Sequence, residues 1–312
     1  MVSGGRLYLC ALLAALVRAH DRREDASMRG VWLWALAGVI VGAIMLTRFD
    51  IVPTALAVAA ILLVGRPVRS GIAAGLGFSV KLWPALMLLA LPRKGLRSGA
   101  ASFAVTVLVV LAFFLVAFDG SLSFLGNQRA RGLQIESIGA LPYEIHGLFG
   151  GTVAYGIEYG SMQVLMNGAE IVGTVVTLLG LAVIAVIVWW RIRGRLEDVP
   201  AGDVALTLVL VSVLGSRVYS PQFNVWIIGV CAAAILSTRT RMRHVSVILV
   251  VVAVLTQFVY PWFPWVLVEA TPAGVAIQAL RIAGLLAATT MAVWQISPYR
   301  DVRSDRTPSL IA

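Results

Sequence analysis

Long apolar runs, separated by short clusters of basic residues, constrain the fold of this chain most strongly. Gly99 to Phe118 contains no charged side chain, and Ala169 to Trp190 contains none after Glu170. About 20 such residues cross the hydrocarbon core of a bilayer as one helix. Hydrophobic residues make up 60% of the 312 residues, charged residues make up 13%, and the mean hydropathy is +0.91. These values exclude a soluble domain and predict an all-α polytopic membrane protein.

The apolar segments of the chain fall into two length classes. The segments predicted to span the bilayer are Val31 to Thr47, Gly99 to Phe118, Ala169 to Trp190, Val245 to Tyr260 and Pro272 to Trp294. Shorter segments are Ile51 to Gly65, Val204 to Gly215 and Phe223 to Ser237, and we expect these helices to end inside a protein-lined cavity. Leu7 to Val17 lacks a following small-residue cleavage site, so we interpret it as a shortened membrane helix and not as a signal peptide.

Most basic residues lie in the connectors between these segments. The positive-inside rule places such connectors in the cytoplasm. The arginines separate apolar spans instead of covering one face with interleaved aromatic residues, so the net charge of +10 indicates membrane lipids as partners and not nucleic acid. The connector clusters are Arg22/Arg23/Arg29, Arg66/Arg69, Arg93/Lys94/Arg97, Arg191/Arg193/Arg195, Arg239/Arg241/Arg243 and Arg300/Arg303/Arg306.

The run Gly71 to Leu91 has basic residues on both sides, so a single crossing would place one basic flank outside the cell. A re-entrant hairpin removes this conflict. We expect Gly71 to Val80 to rise from the cytoplasm, the chain to turn at Lys81 to Pro84, and Ala85 to Leu91 to descend. Pro84 disfavours helical geometry at the preceding residue and therefore marks the turn.

With this fold-back, several polar clusters share the outer side of the membrane. They are Arg48-Phe49-Asp50, Lys81, the long segment 119–168 and Arg217 to Gln222. Charged groups at membrane depth are costly and therefore indicate function. Cations at Arg48, Lys81, Arg131 and Arg217 would suit the phosphate of a lipid. Asp50 or Glu136 could accept a proton from a hydroxyl group.

Each polar cluster also has a structural alternative. Arg48 and Asp50 could pair with each other, Lys81 could reach the surface from a helix end, and Arg217 to Gln222 could form only a turn. The lone His146 is more typical of a structural role, and the two cysteines show no metal or redox spacing. The segment 119–168 is apolar enough to be ordered, and we expect a lid or a layer of half-helices over the outer face.

Four motifs, in order, resemble the actinobacterial branch of glycosyltransferase family 87. They are Arg48 to Pro53, Gly75 to Pro84, Arg129 to Ser137 and Tyr219 to Phe223. The resemblance extends from about Arg29 to the end of the chain. It implies a GT-C-like helical bundle at 31–296, after a truncated helix and connector at 1–30 and before a cytoplasmic tail at 297–312. The family's first helix and first outer loop, which usually carries the catalytic acid, are expected to be missing.

The resemblance also implies an activity. A hexose, typically mannose, would pass from a polyprenyl-phosphate donor to a glycolipid or glycan acceptor on the outer face of the plasma membrane, without a nucleotide sugar, a cofactor or an obligatory metal. The candidate catalytic residues are Asp50 and Glu136. The candidate substrate-binding residues are Arg48, Lys81, Arg129, Arg131, Gln134, His146, Arg217, Tyr219 and Gln222. Two alternatives stay open: a lipid or solute transporter, and an inactive membrane scaffold.

Overall fold

The computed structural model of the chain describes residues 2–118, 132–158 and 160–298. It confirms an all-α polytopic membrane protein, because four helical stretches in these ranges are long and apolar enough to cross a bilayer: Arg93–Ala117, Ala169–Ile192, Arg243–Trp262 and Pro272–Ile296. In chain order the α-helices are α1 (Val2–Asp21), α2 (Arg29–Ala35), α3 (Ala37–Val41), α4 (Ile44–Thr47), α5 (Ile51–Leu62), α6 (Pro67–Val80), α7 (Arg93–Ala117), α8 (Leu141–Leu148), α9 (Ala169–Ile192), α10 (Ala201–Leu214), α11 (Phe223–Ile235), α12 (Arg243–Gln257), α13 (Trp265–Val268) and α14 (Pro272–Ile296). Trp83–Ala90 and Ile138–Ala140 are 3₁₀ helices, and Phe258–Trp262 forms a π-helical turn.

Two short helices, α10 and α11, form the centre of the bundle. Every residue of α11 is buried, and most of α10 is buried as well. Both helices are apolar on all sides, which is typical of helices that are surrounded by other helices. α10 packs against α11, α14, α9 and the 3₁₀ helix Trp83–Ala90. α11 also packs against α5 and α2. Two of the three predicted short segments, Val204 to Gly215 and Phe223 to Ser237, thus contain interior helices.

The fold-back at residues 71–91 is confirmed. α6 ends at Val80, Lys81 is extended, and the 3₁₀ helix Trp83–Ala90 leads back toward the start of α7. α6 and α7 then lie side by side in parallel, because Pro67 lies next to Gly95 and Gly71 lies next to the backbone of Gly99. Two consecutive helices can be parallel only if the chain between them returns to the same end of the bundle.

The prediction of one continuous span at Val31 to Thr47 is wrong. The segment is divided into α2, α3 and α4, with the main interruption at Gly42, whose φ is 73°. The side chain of Gln257 occupies the space beside Gly42, and its amide donates to the carbonyl oxygens of Val39 and Ile40, each at 2.9 Å. A side-chain amide thus replaces the helical hydrogen bonds at this position, and only glycine leaves room for it.

Residues 132–158 and 160–168, which we call the outer segment after the side of the membrane predicted for it, contain structure that the sequence analysis did not predict. Strands β1 (Tyr155–Glu158) and β2 (Ser161–Val164) form an antiparallel hairpin in which Tyr155 pairs with Val164 and Glu158 pairs with Ser161. An isolated bridge joins Gln134 to Gln163 beside this hairpin. The expected layer over one end of the bundle therefore combines a short helix, α8, with a small sheet.

The connectors that carry the basic clusters meet at one end of the bundle, and the polar clusters lie at the other. Contacts between connectors define the first end. The contacts run from Arg23 to the Leu62 carbonyl, from the Arg93 amide to Glu197, from the Arg241 amide to Asp203 and from the Arg241 guanidinium to the Gln295 carbonyl. Arg300, Arg303 and Arg306 lie outside the described residues. The cytoplasmic assignment of this end stays a prediction.

Candidate functional site

Lys81 and Asp50 form an ion pair at the break between α6 and the 3₁₀ helix. Lys81 has φ −149° and ψ 147°, and its Nζ lies 2.5 Å from Asp50 Oδ1. The same oxygen accepts a hydrogen bond of 2.6 Å from Trp226 Nε1. The Asp50 side chain is only 3% exposed, whereas that of Lys81 is 31% exposed. Asp50 therefore pairs with Lys81 and not with Arg48, and it holds the ammonium group at a fixed place.

Three aromatic rings pack around this ion pair. The Trp226 ring stacks between Trp83, at a centroid distance of 5.1 Å, and Phe223, at 4.0 Å. Lys81 Nζ lies 5.1 Å from the centroid of the Trp226 ring, within the range of a cation–π interaction. These contacts restrict the lysine side chain. Trp83 is the first residue of the 3₁₀ helix, and Pro84 follows it in the first turn.

A groove of about 1000 Å³ begins beside Lys81 and runs between α7 and α9. Its walls are apolar and include Val107, Leu111 and Phe114 of α7 and Leu181 and Ile184 of α9. Leu111, Phe114 and Leu181 are 38%, 45% and 55% exposed, so this groove opens on the lipid-facing surface. Of the residues that the structure describes, the charged ones that line the groove are Lys81 and Arg217.

Arg217 and Gln222 lie on the loop between α10 and α11. The Arg217 guanidinium donates to Thr174 Oγ1 of α9 at 3.0 Å. The backbone carbonyl of Arg217 accepts a hydrogen bond from the backbone N–H of Gln134 at 3.0 Å. These bonds fix the loop against both α9 and the outer segment. Gln222 lines the groove and also lines a second, smaller cavity.

The second cavity has a volume of about 450 Å³ and a more polar lining than the groove. One of its sides is the end of α4, which carries Arg48, and the other sides are the outer segment, the loop that carries Gln222, and the segment from the π-helical turn to α13. Polar and aromatic side chains line it from all four sides: Arg48, Gln134, Glu136, Ser161, Ser220, Gln222, Tyr260, Trp265 and Glu269.

Glu136 reaches this cavity from the outer segment and is ion-paired to a buried arginine. Arg281 Nη2 lies 3.1 Å from Glu136 Oε2, and the Arg281 side chain is completely buried, with further bonds to Gln278 and Thr256. Burial raises the pKa of Glu136 to about 7, although Arg281 acts in the opposite direction. Glu144 is also buried, and burial raises its pKa to about 8. A carboxyl group with a pKa near 7 can exchange protons near neutral pH.

The predicted site residues are therefore separated into two groups and several outliers. Lys81, Arg217 and Gln222 line the groove, whereas Arg48, Gln134, Glu136 and Gln222 line the polar cavity. Asp50 lines neither and acts on the groove through Lys81. Tyr219 is buried beneath the Arg281 guanidinium, 5.1 Å from it, and His146 is exposed on α8, away from both cavities. Arg129 and Arg131 lie outside the described residues.

Two contributors to the site were missed in the sequence. Arg281 lies within the predicted span Pro272 to Trp294, and a charged residue at that depth is itself an indication of function that could have been used. Trp226 offered no comparable indication, because it is one apolar side chain in an apolar helix. Among the described residues, no group of three or more His, Cys, Asp or Glu side chains is arranged to hold a metal ion.

The chain is thus a helical membrane protein with a lipid-facing groove that ends at two cations, beside a polar cavity. A sequence profile of glycosyltransferase family 87 matches residues 1–221, so the chain belongs to this family of membrane glycosyltransferases. The match begins earlier than the expected Arg29 and ends within the fourth motif, at residue 221. No curated protein and no solved structure matches the chain.

Proposed function

We propose that this glycosyltransferase takes its hexose, mannose by resemblance to the family, from a polyprenyl-phosphate donor on the outer face of the plasma membrane. The groove is the observation that carries the proposal. Its apolar walls suit a polyprenyl chain, and the two cations at its polar end suit a phosphate. A nucleotide sugar would leave the apolar walls without a partner.

The positions of the charged side chains suggest how transfer would proceed. An acceptor hydroxyl oxygen attacks the anomeric carbon while the bond between that carbon and the phosphate oxygen breaks. The electron pair of the broken bond stays on the phosphate, which gains negative charge as it leaves. Lys81 and Arg217 stabilise this developing charge more than the ground state, as catalysis requires.

The hydroxyl proton needs an acceptor, and Glu136 is our choice among the carboxylates. Glu136 lines the cavity beside Gln222, and its pKa near 7 allows it to take up a proton and release it again. Asp50 is less suited because Lys81 and Trp226 occupy its Oδ1. We therefore propose Asp50 as a positioning residue and Glu136 as the general base.

The test compares two donors in proteoliposomes that contain the purified protein and a glycolipid acceptor fraction. We expect hexose transfer from polyprenyl-phosphate hexose, with one polyprenyl phosphate released per transfer, and none from nucleotide hexose. Arg217→Gln should reduce transfer at least tenfold. Arg193→Gln, an exposed arginine at the opposite end of the bundle, is the matched control and should leave transfer unchanged.

Lys81 needs a paired design because its removal alone leaves the buried Asp50 carboxylate without its cation. Such a charge destabilises a protein by about 3–5 kcal/mol, so Lys81→Met could fail through misfolding. The double variant Lys81→Met/Asp50→Asn removes both charges together and should fold but transfer at least tenfold less than the wild type. Transfer at the wild-type rate in both this double variant and Arg217→Gln would refute the donor site. A wild-type protein that folds but shows no turnover would indicate a scaffold.

A further inference from the structure

The groove and the polar cavity differ in charge, although Gln222 lines both. Among the described residues, Lys81 and Arg217 give the groove a net positive lining, and no carboxylate of these ranges lines it. In the part of the chain that the structure describes, the cavity is lined by one cation, Arg48, together with the carboxylates Glu136 and Glu269. A phosphate is therefore favoured in the groove, while the cavity offers an anion no excess of positive charge.

The cavity also provides both kinds of hydrogen-bonding partner. The carboxylates of Glu136 and Glu269 accept hydrogen bonds, the guanidinium of Arg48 donates them, and the Gln222 amide can do both. A ligand with many hydroxyl groups needs this combination, because each hydroxyl both donates and accepts. An anionic headgroup only accepts hydrogen bonds, so the carboxylates of Glu136 and Glu269 could not donate to it.

Two aromatic side chains and one buried side-chain amide also line the cavity and suit a sugar. Tyr260 and Trp265 line the cavity, and their rings offer flat apolar surfaces for the C–H faces of a sugar. Gln134 also lines it. This side chain is only 3% exposed, and its Oε1 has no hydrogen-bond partner among the described residues. Buried polar groups are rarely left unpaired, and this enclosed oxygen adds polar character to the cavity wall.

We infer that the polar cavity binds the acceptor and selects a neutral sugar unit, with Gln222 lying between this sugar and the hexose of the donor. The inference rests on the proposed function, because it assigns the second substrate of the same transfer. It adds the position of the acceptor, its neutral charge, and Glu269, Trp265 and Gln134 as residues that determine specificity.

The experiment measures binding without a donor and therefore does not depend on turnover. The protein is placed in lipid nanodiscs and titrated with octyl glucoside or octyl glucuronide below their micelle-forming concentrations, with empty nanodiscs as the blank. These probes differ only by the carboxylate of the glucuronide. We expect saturable binding of the glucoside and at least tenfold weaker binding of the glucuronide, with the difference reduced in Glu269→Gln.

A matched pair of valine variants locates the binding. Val268 lines the cavity and is 36% exposed, so Val268→Trp should fill the cavity without disturbing the core and should weaken glucoside binding at least tenfold. Val247, which is 63% exposed on α12, lies outside both cavities, and Val247→Trp should leave binding unchanged. Equal or tighter binding of the glucuronide, or unchanged glucoside binding in Val268→Trp, overturns the inference.

A third titration separates this inference from the donor proposal. Farnesyl phosphate in the same nanodiscs probes the groove, and Arg217→Gln should weaken its binding at least tenfold. If farnesyl phosphate binds as expected and glucoside does not, the acceptor inference fails while the donor proposal stands. The reverse result refutes the donor site alone.

Discussion

At the scale of single residues, Asp50 shows how burial changes the role of a carboxylate. Its Oδ1 accepts from both Lys81 and Trp226, and the side chain is almost completely enclosed. Lys81 has three N–H donors and uses one of them for Asp50, which leaves the others for a ligand. Asp50 therefore sets the direction in which the ammonium points.

The proposed proton acceptor, Glu136, gives the first prediction at this scale. Glu136 acts as a base only when ionised, and burial raises its pKa to about 7. The transfer rate should therefore rise about tenfold per pH unit below pH 7 and level off above it. Glu136→Gln should lose this rise and lower the rate at least a hundredfold, measured as initial rates from pH 5 to pH 9.

Glu144→Gln is the control for this profile. Burial raises the pKa of Glu144 from 4.5 to about 8, so the native state binds its proton more tightly than the unfolded chain does. Its contribution to stability is thus present below about pH 4.5 and is lost as the pH rises toward 8. Glu144→Gln should flatten the pH dependence of the melting temperature and retain the rise in rate. Persistence of that rise in Glu136→Gln would reject Glu136 as the base.

At the scale of elements, the close packing of α6 on α7 can be tested through its glycines. A Cβ at Gly71 would collide with the Gly99 carbonyl and the Ser102 hydroxyl, whereas one at Gly38 would meet no atom within 4 Å. Gly71→Ala should cost about 1–3 kcal/mol and lower the melting temperature by several degrees. Gly38→Ala should leave it unchanged or raise it, because alanine favours helix. Equal effects would contradict the parallel packing.

Some elements followed from local sequence and others did not. The turn at Lys81 to Pro84 was predictable because Pro84 disfavours helical geometry at Trp83, the residue before it. Long uniform apolar runs predicted α7, α9 and α14. The division of Val31 to Thr47 was not predictable, since it depends on Gln257, which is more than 200 residues away along the chain. Trp226 is likewise 176 residues from Asp50, and no pattern in either segment indicates the other.

At the scale of the whole molecule, the separation of basic connectors from the substrate cavities predicts an orientation. We expect the basic end to face the cytoplasm. The background for the test is Cys10→Ala, which removes the exposed cysteine and leaves the buried Cys231. In this background, Phe49→Cys should react with a membrane-impermeant maleimide on intact cells. Arg193→Cys should react only after the cells are permeabilised. Phe49 is 67% exposed at the site end. The opposite labelling pattern would invert the topology.

The opening of the groove between α7 and α9 also determines which measure of substrate concentration governs saturation. A ligand that enters from the side arrives by diffusion in two dimensions, and water outside the bilayer is not part of its path. Its saturation then depends on its mole fraction among the surrounding lipids and not on its molarity in the suspension. Adding inert lipid at a constant amount of donor should slow the enzyme, as in surface dilution, and a Michaelis constant for this chain has meaning only per unit of membrane area.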